Sequence, residues 1–115
     1  MNPLEHEKRT YPRIAVSRPL LYESDIYPKP RIAFTRDLSI GGARIEDAAS
    51  LYTQERLSLW FSLETRVLPC RGRVVHIQQV GHRFSAGICF ESMTDEDRIA
   101  LAQYLTDFLK KEGKP

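Results

Sequence analysis

The chain is poor in several features that define protein classes. Cysteine occurs twice in 115 residues, as Cys70 and Cys89. Two cysteines that far apart make neither a disulfide framework nor a zinc site. Both fall in runs of strand type, where free cysteine is among the most buried residues, so both are expected to be reduced core thiols. Charge of one sign is also scarce. Seventeen Lys and Arg stand against fifteen Asp and Glu, a net charge of +2. A protein that tracks a polyanion shows a strongly basic face, and one that stacks single strands shows several aromatics in a basic groove. Neither is present, so DNA and RNA are not expected partners. No run approaches the roughly 18 apolar residues of a membrane-spanning helix. The start, Met1-Asn2-Pro3-Leu4-Glu5-His6-Glu7-Lys8, is polar and lacks the apolar core of a signal peptide. No membrane insertion is expected, and the expected location is the cytoplasm.

Catalytic machinery is missing too. His6, His76 and His82 are scattered, with none at metal-ligand spacing to another. No Ser or Cys sits in a nucleophile elbow. The sequence therefore predicts no catalytic residue, no metal and no cofactor, and a protein that is not an enzyme.

What is there reads as one globular domain. Hydrophobic residues make up 42% and charged residues 28%, a balance that excludes a disordered chain, and the length leaves no room for a second core. Residues 1–13 are charged and aperiodic and read as a flexible N-terminal arm; residues 14–115 read as the domain. Ile14 to Tyr22 is expected to be a first strand, interrupted at Pro19. Residues 24–30 read as a turn-rich loop, within a long proline-rich connection from Tyr22 to Arg31. Arg31 to Leu38 is a second strand, and Ala43-Arg44-Ile45 a short third one after the Gly41-Gly42 break. Leu57, Leu59, Phe61 and Leu63 alternate with Ser58, Trp60, Ser62 and Glu64, the period of a half-buried strand. A strand over Gly72–Ile77, a turn at Gly81 and an alternating strand through Phe84, Ala86, Ile88 and Phe90 follow. About six strands at this spacing predict a mainly β protein, a six-stranded antiparallel barrel. Thr94 with the acids after it reads as a helix start, and Leu101, Leu105 and Phe108 mark one amphipathic C-terminal helix of about four turns. Trp60 lies opposite the core, and is either covered by that helix, the favoured reading, or exposed as a partner contact.

Two segments carry chemistry. The first is Lys8-Arg9-Thr10-Tyr11-Pro12-Arg13. Residues 8–18 hold Lys8, Arg9, Arg13 and Arg18 without an acid, and guanidinium groups grip phosphate and stack on flat rings. The second is Asp37-Leu38-Ser39-Ile40-Gly41-Gly42. Its carboxylate and hydroxyl can take and give hydrogen bonds to a ligand, and its glycines allow close approach. Alternatively, Asp37 and Ser39 cap their own turn.

An arm with Arg-x-x-x-Arg, two strands, and then Asp-x-Ser-x-x-Gly resembles the PilZ domain family, bacterial receptors for cyclic di-GMP (c-di-GMP). Gly72-Arg73-Val74-Val75-His76 is similar to the family's central strand, and Gly87-Ile88-Cys89-Phe90 to its glycine-apolar-x-phenylalanine strand. The resemblance covers nearly the whole chain. It implies a ligand site of Lys8, Arg9, Arg13, Asp37, Ser39, Gly41, Gly42 and His76. Arg9 and Arg13 would hold phosphates and guanine, Asp37 and Ser39 would bond the guanine, and Gly42 would allow close approach. His76 stands where some members carry a Trp beside the ligand, and is either a stacking group or an ordinary wall residue. Lys8 stands where the family often has Arg. A long basic residue there favours a stacked pair, so two ligand molecules per chain are expected. The implied function is a non-enzymatic c-di-GMP receptor that passes its signal to a protein effector by ordering the arm. The alternative is a ligand-independent adaptor acting by protein contacts, as in type IV pilus assembly, where the arginine motif is usually missing.

Overall fold

Alternating apolar residues wrap six strands around a common core. The computed structural model describes residues 12–46 and 51–112. Its strands are β1 (Pro19–Ser24), β2 (Arg31–Leu38), β3 (Gly42–Glu46), β4 (Arg56–Leu63), β5 (Arg66–Val80) and β6 (Arg83–Ser92). They form a closed barrel in the order β1-β2-β3-β6-β5-β4, every neighbouring pair antiparallel. Closure gives every described strand a partner on both sides over part of its length, which removes the long open edge of a flat sheet. In β4, Leu57, Leu59, Phe61 and Leu63 point inward and are buried, while Ser58, Trp60 and Ser62 are half-buried on the outer side. Tyr22, Leu38, Ile45, Val74 and Ile88 complete the core from the other strands. Phe61 meets Phe90 edge to face with ring centres 5.5 Å apart, the arrangement favoured by the ring quadrupoles.

The helix α1 (Asp95–Glu112) follows β6. Thr94 Oγ1 accepts the Asp97 N–H at 3.1 Å, and three acids fill the first turn, where the helix dipole favours negative charge. Arg66, next to the β4–β5 turn, donates to Asp97 Oδ1 at 2.8 Å and ties the helix start to the barrel. Leu101 and Leu105 are buried in the core cluster. At 18 residues the helix makes about five turns, one more than its apolar spacing indicated.

Three local expectations are corrected. Residues 14–18 are not a strand. Ile14 makes a single bridge, exchanging both backbone hydrogen bonds with Leu38 at 3.0 Å. Arg18 N–H then bonds the Thr35 hydroxyl at 2.8 Å, and that hydroxyl donates to Val16 O. Pro19, which has no N–H, opens β1 instead. The connection between the first two strands is also shorter than the expected Tyr22 to Arg31, because β1 runs on to Ser24 by pairing Glu23 and Ser24 with β4. The strand around Gly72 begins earlier, at Arg66, despite Pro69. At Pro69, β5 pairs only with β4, since pairing with β6 starts at Arg71. Pro69 therefore sits at a local edge, where a missing donor costs little.

Trp60 is not covered by the helix. It lines a groove of about 410 Å³ on the outer wall with Pro19, Leu21, Ile32 and Val67, and no lining residue belongs to α1. The helix directs Leu101 and Leu105 to the core instead.

The cysteines separate. Both are free, but only Cys70 is buried, whereas Cys89 is half-buried. Burial, with a smaller push from Asp97, raises the Cys70 thiol to about 12. The thiolate is the nucleophile, so Cys70 is expected to stay unmodified by iodoacetamide at pH 8 until the protein unfolds. Mass spectrometry of labelled native protein checks this, and rapid native labelling of Cys70 would contradict it. A thiol raised from 9.0 in this way favours the folded state below about pH 9, and that contribution is lost as pH rises towards 12.

Candidate ligand-binding site

A strand has a period of two, so Asp37 should share a face with Thr35, and His76 with Val74. Thr35 and Val74 are buried. Two β-bulges break the period. The register slips between Thr35 and Asp37 in β2, and between Val74 and His76 in β5. Each slip inserts one residue and re-aims the next side chain. Asp37 and His76 are thereby turned to the outer wall, away from Thr35 and Val74.

The register then places four residues in one line. Asp37 is opposite Arg44, Arg44 is opposite Gly87, and Gly87 is opposite His76. The line crosses β2, β3, β6 and β5. Arg13 joins it from the chain before β1, with Nη1 3.4 Å from Asp37 Oδ1. Arg44 Nε lies 3.8 Å from Asp37 Oδ2, and Arg44 Nη1 reaches Gln78 Oε1 at 3.4 Å. Asp37 thus stands between two guanidinium groups. The Arg13 side chain is 54% exposed, and such a surface pair contributes little to stability. The arrangement suits a ligand that offers phosphate to the arginines and N–H donors to the carboxylate.

The other residues expected in the site have different surroundings. Ser39 is buried, and its hydroxyl accepts Gly41 N–H at 3.2 Å and faces Gly42 O at 3.3 Å. It holds its own turn, the alternative reading of that segment; Asp37 does not, since it pairs with arginines. Gly41 O accepts Phe90 N–H at 2.9 Å. At Gly42 a Cβ would lie 2.2 Å from the Ile88 carbonyl oxygen, so glycine is required there for β3 to approach β6. Lys8 and Arg9 lie outside the described residues. Arg44 was not singled out from the sequence. Its signal was its place just past Gly42, but only the β2 bulge brings it opposite Asp37.

Neither this line nor Arg13 contributes to the groove beside Trp60. A cavity of about 370 Å³, lined by Tyr22, Tyr27, Tyr52 and Glu55 among others, also involves Arg31, at the far end of β2 from Asp37. Among the described residues, no group of three or more His, Cys, Asp or Glu could hold a metal ion. No described helix is long and apolar enough to cross a membrane.

The chain is thus a small closed six-stranded barrel with a C-terminal helix and an arginine–aspartate pair on its outer wall. The PilZ domain model matches residues 7–107, and the chain belongs to the PilZ domain family. It is similar to the inhibitor of motility MotI/DgrA of Bacillus subtilis, with a TM-score of 0.82 and 18% identity over 92% of this chain and 53% of that one. The chain thus spans about half the length of MotI. The PilZ domain of YcgR from Escherichia coli, solved with c-di-GMP, has a TM-score of 0.73 and 16% identity over 92% and 94% of the two chains. The MrkH–c-di-GMP complex of K. pneumonia has a TM-score of 0.74 and 12% identity over 92% and 53%. These identities speak for the fold alone. No curated protein matches the chain in sequence.

Proposed function

We propose that the protein is a non-enzymatic receptor for c-di-GMP. The observation that carries this reading is the meeting of Arg13 and Asp37 across 24 residues of sequence. These are one residue from each of the two motifs, on the outer wall of a PilZ barrel. The phosphates of the dinucleotide would sit against Arg9 and Arg13, and a guanine would give its N–H groups to Asp37. Ligand binding would clamp the N-terminal arm over the barrel and change the shape and charge of one face, which a protein effector reads. The co-structures of YcgR and MrkH with c-di-GMP support the ligand's identity.

Calorimetric titration with c-di-GMP is the test. Binding with two molecules per chain is expected, and Lys8→Leu is expected to lower the ratio towards one. No heat of binding at tens of micromolar folded protein would remove the receptor reading. A ratio of one in the wild type would remove the role of Lys8 alone. Turnover of c-di-GMP by the pure protein would remove the non-enzymatic reading.

A further inference from the structure

The glycines of the barrel are not equivalent. At Gly42 a Cβ would fall 2.2 Å from the Ile88 carbonyl oxygen, so packing excludes a side chain, and at Gly72 it would fall 2.7 Å from Ile88 Cγ2, so a side chain would have to displace its neighbours. At Gly87, in the middle of β6, the nearest atoms would be His76 Cδ2 and Val75 Cγ2, both at 3.8 Å. That is ordinary van der Waals contact. Gly87 has no positive φ among the described glycines, whereas Gly81 does. Neither packing nor backbone geometry calls for glycine here, and glycine weakens a strand interior. Its effect is to leave a gap in the outer wall between Arg44 on one side and His76 on the other.

Arg44 carries a second sign that this place is unfinished. Its Nε–H is shut off from water and has no hydrogen-bond acceptor among the described residues, although the Asp37 carboxylate is 3.8 Å away. A buried donor left unmade in this way calls for a specific explanation. A ligand that draws Arg44 and Asp37 together would supply one.

From these observations we infer that Gly87 is the floor of a guanine seat, and that Arg44 reads the base together with Asp37. The inference rests on the receptor reading above. The chemistry is specific to guanine. Its pairing edge presents two N–H donors beside the O6 acceptor, and a carboxylate next to a guanidinium presents the complementary order. Adenine offers an amino donor where guanine has O6, and an acceptor where guanine has its ring N–H, so the same pair opposes it. The flat base needs a surface without a side chain, and Gly87 provides one, with the His76 ring at its border.

Titrations with c-di-GMP and c-di-AMP on wild type, Gly87→Val and Arg44→Ala test this. Gly87→Val places a β-branched residue in a strand and is expected to raise the melting temperature while weakening c-di-GMP binding at least tenfold. Arg44→Ala is expected to weaken c-di-GMP at least tenfold and c-di-AMP less, narrowing the preference between them. A wild type that does not bind c-di-GMP would overturn the receptor reading. A wild type that binds, with Gly87→Val binding equally well, would overturn the seat. Equal losses for both dinucleotides in Arg44→Ala would overturn base reading by Arg44, and that variant decides the matter if Gly87→Val fails to fold.

Discussion

The Arg9→Ala/Arg13→Ala double variant is expected to bind c-di-GMP at least a hundredfold more weakly than wild type, with an unchanged melting temperature. A hydrogen bond to a charged group contributes roughly 1.5–3 kcal/mol, and about 1.4 kcal/mol is a factor of ten. Two such groups on one dinucleotide therefore account for a hundredfold or more. Stability should not follow. Arg13 is a largely exposed partner in a 3.4 Å surface pair with Asp37, and exposed pairs of this kind contribute about 0–1 kcal/mol. Arg13 is not in the core cluster. Calorimetry and thermal unfolding read the two quantities separately. Wild-type affinity in the double variant would show that the arm does not hold the ligand.

Gly42→Ala is expected to do the reverse and strike the fold first. The new Cβ would stand 2.2 Å from the Ile88 carbonyl oxygen and 3.3 Å from its carbon. Backbone atoms cannot swing aside as a flexible side chain can. The β3–β6 ladder, in which Gly42 faces Cys89, must open locally. Overpacking of this kind costs roughly 3 kcal/mol, which lowers the melting temperature of a domain this size by roughly 10 °C. A melting temperature within two or three degrees of wild type, as an order of magnitude, would show that β3 and β6 have slack at this point. The contrast with Gly87→Val is informative, because two glycines on facing strands are expected to respond with opposite signs.

The role of Gly42 shows where the reading of motifs and the reading of structure diverge. As part of Asp-x-Ser-x-x-Gly it suggests close approach to a ligand. In the barrel it allows close approach of a neighbouring strand. Ser39 behaves similarly, since its hydroxyl is engaged by Gly41 and Gly42 within its own turn. Two of the motif's residues thus build the β2–β3 turn, while Asp37 faces outward to the arginines.

Local order determined what was legible in the chain itself. The period of two in β4, the span of β2, the glycine break before β3 and the capped helix after Thr94 all rest on interactions between near neighbours, which composition and spacing record. Arg31–Leu38 was delimited as β2 spans it. The two motifs were legible for the same reason, because each is a few residues long. Tertiary structure alone decided which of their residues meet. A β-bulge shifts the alternation by one residue, as from Thr35 to Leu38 in β2, and a single shift does not by itself tell which side chain turns outward. Whether Asp37 and His76 face the core or the solvent depended on slips between Thr35 and Asp37 and between Val74 and His76. Arg44 meets Asp37, and Gly87 meets His76, through the register of adjacent strands, and the two halves are joined only by the β3–β6 ladder, whose partners Arg44 and Gly87 stand more than forty residues apart in sequence. Trp60 was placed by the same kind of long-range fact. The helix directs Leu101 and Leu105 to the core, so it does not cover the wall where Trp60 lies.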